Sequence, residues 1–120
     1  MSVNNRDATS LWEILRAVEL IQAFTTNMSY GSYLEDDLVQ SAVERKFEIM
    51  GEAARRISDE FRQAHPEIDW RSLIGLRNII SHRYDQVDHA LLWDSIETVL
   101  PILLEQIKTL LPPISEVEEL

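Results

Sequence analysis

The 120-residue chain predicts an all-α fold, a bundle of four to five helices. Apolar residues recur at three- and four-residue spacing almost throughout, which is the helical period. Strand signals, the alternation of apolar and polar residues, are nearly absent. The length allows one domain with one core, burying roughly two-thirds of the surface that the unfolded chain exposes. No internal repeat or low-complexity segment divides it. Residues 1–112 read as a single helical domain and 113–120, with three glutamates, as an acidic, flexible tail.

The first helix is expected to begin near Asp7 or Thr9, either of which can accept from the free N–H groups of a first turn. Its apolar stripe is Leu11, Ile14, Leu15, Val18 and Ile21, extended by Phe24, and Tyr30-Gly31-Ser32 breaks it. A long second helix starts between Leu34 and Leu38 and runs to about Ala64, with Val39, Val43, Phe47, Met50, Ala54, Ile57 and Phe61 as its stripe. Gly51-Glu52-Ala53-Ala54 in its middle lets a neighbouring helix come close, although glycine costs about 1 kcal/mol of helix propensity. His65-Pro66 ends it, because proline disfavours helical geometry in the preceding residue. A third helix opens with Asp69 as N-cap and reaches about His82. Asp88 caps a fourth, with Leu92, Ile96, Val99, Leu103, Ile107 and Leu110 on one side. Pro101 should kink this last helix, and Pro112-Pro113 closes it.

Composition removes several classes of function. The chain has no cysteine, so it has no disulfide framework, thiolate nucleophile or CxxC metal site. Its three histidines, His65, His82 and His89, have no metal-binding spacing such as HxxxH, so neither a metal nor another cofactor is expected. The amino terminus lacks the apolar run of a signal peptide, and no stretch approaches the ~20 apolar residues of a membrane span. A cytoplasmic location without membrane association is the expectation.

A net charge of −10 argues against broad coating of nucleic acid, but the charge is unevenly spread. Residues 45–83 hold eight of the eleven basic groups against six acids, and the rest holds three against fifteen. Phosphate contacts, which supply most of nonspecific nucleic-acid affinity, can come only from the middle of the chain. Both regions are equally compatible with solvated helix faces.

The third helix concentrates the chemistry. At ~100° per residue, Ser81, Asp85, Asn78 and His82 fall within about 140° of Arg77 on one arc, and Tyr84 lies about 20° to its other side. Leu73, Leu76, Ile79 and Ile80 occupy the opposite arc. Trp70 and Ile74 are apolar residues on the polar side, which points to something covering that face, a second copy of the chain being the obvious candidate. Arg77 and His82 stand too far apart around a regular helix to grip one atom. Either the helix loosens near His82, or Arg77 of one chain works beside His82 of another.

Arginine presents a planar fork of donors that matches phosphate and stays charged. Histidine takes and gives protons near neutrality. With Asn78 as a neutral hydrogen-bonding neighbour, the set suits phosphodiester cleavage in which His82 activates a ribose 2′-hydroxyl and Arg77 stabilises charge on phosphorus. An isolated Arg and His five residues apart are otherwise ordinary helix-end residues.

The string Arg77-Asn78-Ile79-Ile80-Ser81-His82-Arg83-Tyr84, an arginine, four residues, a histidine and a tyrosine one residue on, resembles the motif of the HepT-like toxins in the HEPN ribonuclease superfamily. The resemblance extends along nearly the whole chain. Phe47–Arg55 is similar to the family's second-helix segment, His65–Trp70 to the entry of its motif helix, and Val87-Asp88 with Trp93 to its exit. It implies a HEPN-like homodimer whose two motifs meet to form a metal-independent endoribonuclease site. Arg77 and His82 would be catalytic, with Asn78 and Ser81 supporting them. It also implies a partner, an MntA-type nucleotidyltransferase antitoxin, that transfers AMP to Tyr84 in a type VII-like toxin–antitoxin system. Adenylylation would place bulk and negative charge where RNA phosphate binds.

Other readings stay open beside it. Arg83 either adds phosphate affinity or is solvated surface. Glu52 either orients Arg77 or pairs with Arg56 at i,i+4. His65 and His89 read as helix-end residues, and Trp12, Trp70 and Trp93 as core or dimer contacts rather than base-stacking platforms. The alternative for the whole chain is a non-catalytic HEPN binding module that pairs with a nucleotidyltransferase and supplies nucleotide or substrate contacts.

Overall fold

In the computed structural model of the chain, residues 4–82 and 87–111 are described, with side chains over 4–76 and 87–111. Every regular element among the described residues is helical. In chain order these are α1 (Asn5–Phe24), α2 (Tyr30–Leu34), α3 (Asp37–Arg56), α4 (Asp59–Ala64), α5 (Trp70–His82), α6 (His89–Asp94) and α7 (Leu100–Leu110), with a π-helical segment, Ser95–Val99, joining the last two. Helix α3 packs against both α1 and α5, and α7 against α1. The fold is the expected all-α bundle. The acidic tail expected over 113–120 lies outside the described residues.

Helix α1 starts earlier than expected. Asn4 is its N-cap, the side-chain oxygen accepting from the Asp7 N–H at 2.7 Å. Asp7 does not cap; it is buried, only 2% exposed, and reaches across the chain. Its carboxylate accepts from the Ser58 N–H at 2.8 Å and the Ser58 hydroxyl at 2.7 Å. The stripe Leu11, Ile14, Leu15, Val18 and Ile21 is buried as predicted.

Beyond α1 the chain turns through Asn27, whose φ of 63° is the left-handed conformation that asparagine tolerates better than most residues. The predicted break at Tyr30-Gly31-Ser32 does separate two long helices, but its residues are themselves helical. Ser29 and Ser32 form a reciprocal capping box, Ser32 N–H to Ser29 Oγ at 3.1 Å and Ser29 N–H to Ser32 Oγ at 2.9 Å. A satisfied first turn is enough to form α2.

The single helix expected from about residue 36 to Ala64 is two. Asp36 caps α3 through the Val39 N–H, and α3 ends at Arg56, where Ile57 takes an extended ψ of 138°. Ser58 then caps α4, its Oγ accepting from the Phe61 N–H at 3.2 Å while its hydroxyl donates to Asp7. Ile57 and Phe61 are both buried, so the apolar period continues across the break. Periodicity therefore could not reveal it. Gly51, Ala53 and Ala54 are buried in α3.

Asp69 caps α5, accepting from the Ser72 N–H at 3.1 Å and the Ser72 hydroxyl at 2.7 Å. Asp88 caps α6 through the Leu91 N–H at 3.0 Å. Pro101 is accommodated without ending the helix. Its ring would clash with the carbonyl four residues back, and the backbone answers with a wider turn, the Leu100 N–H bonding to the Ser95 carbonyl five residues earlier. Pro101 then lies in the first turn of α7, where its missing N–H costs nothing. The wider turn also shifts the stripe: Leu100 is buried, and Val99, expected in the core, is 48% exposed.

Candidate active site on the fifth helix

Helix α5 is anchored by its first half. Leu73 is buried, and Leu76 packs partly buried against the core, as the opposite-arc assignment required. Trp70 is buried too, its indole N–H donating to the His65 carbonyl at 2.9 Å and its ring meeting Phe61 edge-on at 6.2 Å. What covers Trp70 is therefore α4 and the His65 turn of the same chain. A second copy is not needed to explain Trp70, while Ile74, half-buried, lines a cleft described below. His65 is the C-cap of α4 and His89 the first residue of α6, both at helix ends as expected.

The backbone is helical through positions 77, 78, 81 and 82. The side chains of Arg77, Asn78, Ser81 and His82 lie outside the described residues, as do Arg83 and Tyr84 altogether. The candidate site is thus placed by its helix: positions 77–82 follow the half of α5 that is anchored in the core.

Two side chains near this helix differ from expectation. Arg56 does not pair with Glu52 but crosses to Glu13 on α1 at 2.7 Å. The nearer guanidinium to Glu52 is Arg55, one turn on at 3.7 Å. Spacing on one helix missed the Glu13 contact because its partner arrives from another helix.

A cleft of about 420 Å³ lies where α4 meets the start of α5, lined by Asp59, Arg62, Gln63, Trp70, Arg71 and Ile74. Trp70 and Ile74 are its apolar floor. Arg62 is ion-paired with Asp59 at the rim, and Arg71 and Gln63 are exposed. Asp69, beside Arg71, is held below the usual carboxylate range, first by the Ser72 hydroxyl and then by the Ser72 N–H. Arg62, Gln63 and Arg71 were not singled out by the motif. The signal for Arg62 and Arg71 was the excess of basic residues over 45–83, which could not tell a cleft from a solvated face, and Gln63 had none.

A second cavity of about 480 Å³ between α1 and α3, lined by Trp12, Ala17, Leu20 and Ile49 with Arg16 and Lys46 at its edge, includes no residue of α5. A buried polar group sits elsewhere again. Tyr33 is fully buried beneath Trp93, their rings 5.2 Å apart, and burial with the nearby Glu44 charge pushes its hydroxyl up to about 12. Glu44 is itself raised by burial, with His89, 3.9 Å away, acting in the opposite direction. Among the described residues no helix is long and apolar enough to cross a membrane.

Comparison with known proteins places the chain among ribonucleases. The chain matches the family described as "Ribonuclease HepT-like" over residues 14–110, from within α1 to the end of α7. It is 32% identical over 107 residues to "Putative RNase MJ1380" of Methanocaldococcus jannaschii, covering 88% of this chain and 98% of that one. It is 39% identical over 93 residues to "Probable ribonuclease HepT" of Thermococcus cleftensis, covering 78% and 84% of the two chains. No solved structure gives a significant match. On the extent of these matches, which take in α5 and its motif, the chain belongs to the HepT-like family of ribonucleases.

Proposed function

We propose that the chain is a toxin that cleaves RNA internally without a metal, through Arg77 and His82. The observation that carries this reading is the Arg77-x4-His82-x-Tyr84 spacing in the sequence, with positions 77–82 on α5, within a chain that matches a ribonuclease family over residues 14–110. His82 takes the proton of a ribose 2′-hydroxyl, and the freed 2′ oxygen attacks the adjacent phosphorus. The bond from phosphorus to the 5′ oxygen breaks, that oxygen collecting a proton, and a 2′,3′-cyclic phosphate remains. Arg77 donates to the phosphoryl oxygens as charge builds on them, and a fixed guanidinium stabilises that charge more than it does the ground state. Asn78, Ser81 and Arg83 hold phosphate or ribose oxygens, and Glu52, on the neighbouring α3, orients Arg77.

The site is made by two chains. What supports this is that α5 stays helical through His82, keeping positions 77 and 82 about 140° apart on one helix. An MntA-type nucleotidyltransferase silences the toxin by adding AMP to Tyr84, whose phosphate then competes for the arginines that would bind RNA. Expression of wild type beside His82→Ala, with assay of the purified proteins on total RNA, tests the reading. Arrested growth and RNA cut to cyclic-phosphate ends are expected for wild type alone. Equal growth with uncut RNA would refute it and favour a module that binds nucleotide without chemistry.

A further inference from the structure

The cleft between α4 and α5 continues the motif face of α5. At ~100° per residue, Trp70, Ile74 and Arg71 lie about 20°, 60° and 120° from Arg77, on the arc that also holds Ser81 and Asn78. Ile74 is one turn before Asn78, about 6 Å along the axis, and Arg71 is about 10 Å before it. A group seated in the cleft therefore lies directly upstream of the motif on the same side of the helix. Its volume of about 420 Å³ is within the usual range for a small bound group. That accommodates a nucleotide but not a duplex, which needs a far larger surface.

The chemistry of the lining is selective. Two guanidinium groups face one carboxylate, Asp59, in a chain whose net charge is −10. The Arg62–Asp59 pair is at the surface, where solvent screens it, so a phosphate displaces the carboxylate at little cost. Gln63 offers both a donor and an acceptor to a base edge. An unstacked base has the flat indole edge and Ile74 as a floor and an arginine plane to lie on, the usual way that single-stranded RNA is held.

Resting on the ribonuclease reading, we propose that this cleft is a substrate subsite for single-stranded RNA. It holds a nucleotide flanking the scissile bond, with its phosphate on Arg62 and Arg71 and its base edge on Gln63. The subsite lets an acidic protein bind RNA at one place while its remaining surface repels it.

The test uses full-length His82→Ala, which leaves RNA uncut, and a fluorescently labelled single-stranded RNA decamer, with affinity read by anisotropy from 50 to 200 mM salt. Adding Arg62→Gln and Arg71→Gln should weaken binding about tenfold or more, the loss of charge-assisted hydrogen bonds. It should also lower the slope of log K against log salt by about 0.7, one phosphate on a single strand. Arg62→Lys with Arg71→Lys should restore the slope but not the full affinity, since lysine keeps the charge and loses the fork. Arg16→Gln with Lys46→Gln, in the α1–α3 cavity, should change neither. Unchanged affinity and slope in the double Gln variant would overturn the proposal, and so would an equal loss in the Arg16/Lys46 control. A deca-glutamate peptide that competes as well as RNA would assign the cleft to an acidic protein instead and also overturn it. The two readings fail separately. If wild type cuts RNA but Arg62 and Arg71 do not affect binding, only the subsite is lost; if they govern binding of RNA that wild type never cuts, the nuclease reading is lost and the cleft stands as an RNA-binding site alone.

Discussion

Replacing Asp7 with alanine removes the polar tie between the start of α1 and the break after α3. The Asp7 carboxylate is 2% exposed and accepts from the Ser58 N–H at 2.8 Å, from the Ser58 hydroxyl at 2.7 Å, and from the Asn4 amide at 3.1 Å. A hydrogen bond to a charged group contributes about 1.5–3 kcal/mol, and a part-buried N–H left without an acceptor costs about 1–3 kcal/mol. The three bonds share one carboxylate and do not add fully, so the expected loss for Asp7→Ala is about 3–4 kcal/mol. Asp7→Asn keeps one acceptor oxygen and should lose about half of that. Ser58→Ala, which also removes the α4 cap, should cost about 1–2 kcal/mol. Because the two side chains act through one contact, the double variant should be less destabilised than the sum of the singles, with a coupling of about 1–2 kcal/mol. Urea unfolding followed by far-ultraviolet circular dichroism, at fixed chain concentration, measures the four variants beside the wild type. A loss below about 0.5 kcal/mol for Asp7→Ala, or additive single variants, would refute the view that this contact holds the break in place.

Three other outcomes are expected. Tyr33 carries a buried hydroxyl with no hydrogen-bond partner among the described residues, so Tyr33→Phe should leave stability at pH 7 unchanged or raise it by about 1 kcal/mol, as urea unfolding would show. The raised Tyr33 pKa, about 12 against an ordinary 10.0, means that the fold favours the neutral phenol: its contribution is fully present below pH 10 and is lost as pH rises through about 12. Tyr33→Phe should blunt the alkaline loss of stability in that window, and identical alkaline curves would contradict the assignment. Leu100→Ala should cost about 2–5 kcal/mol and Val99→Ser less than about 0.5 kcal/mol; the reverse order would remove the π-helical shift of the core stripe. Incubation with a cognate nucleotidyltransferase and ATP should add the mass of one or more AMP groups to the wild type and none to Tyr84→Phe, and modification persisting in the variant would move the acceptor elsewhere.

Much of this molecule is local. The stripe from Leu11 to Ile21, the caps at Asp69 and Asp88, and the one-arc grouping of positions 77, 78 and 81 all follow from the 3.6-residue period and from side chains that satisfy a first turn three residues away. The motif likewise occupies eight consecutive residues, and so it is legible, with the family, in the sequence alone. The features that only tertiary structure decided join residues far apart in sequence. The break at Ile57-Ser58 is fastened by a carboxylate 51 positions away, Arg56 is drawn from Glu52 to Glu13, and Trp70 is covered by the turn at His65 rather than by another chain. Burial of Leu100 in place of Val99 depends on how α6 and α7 must both reach the core around one proline. The α4–α5 cleft exists because α4 is separate from α3 and free to lean on α5. An apolar period records which residues face inward, but it is blind to where a buried polar group finds its partner, and those partners set where this chain turns.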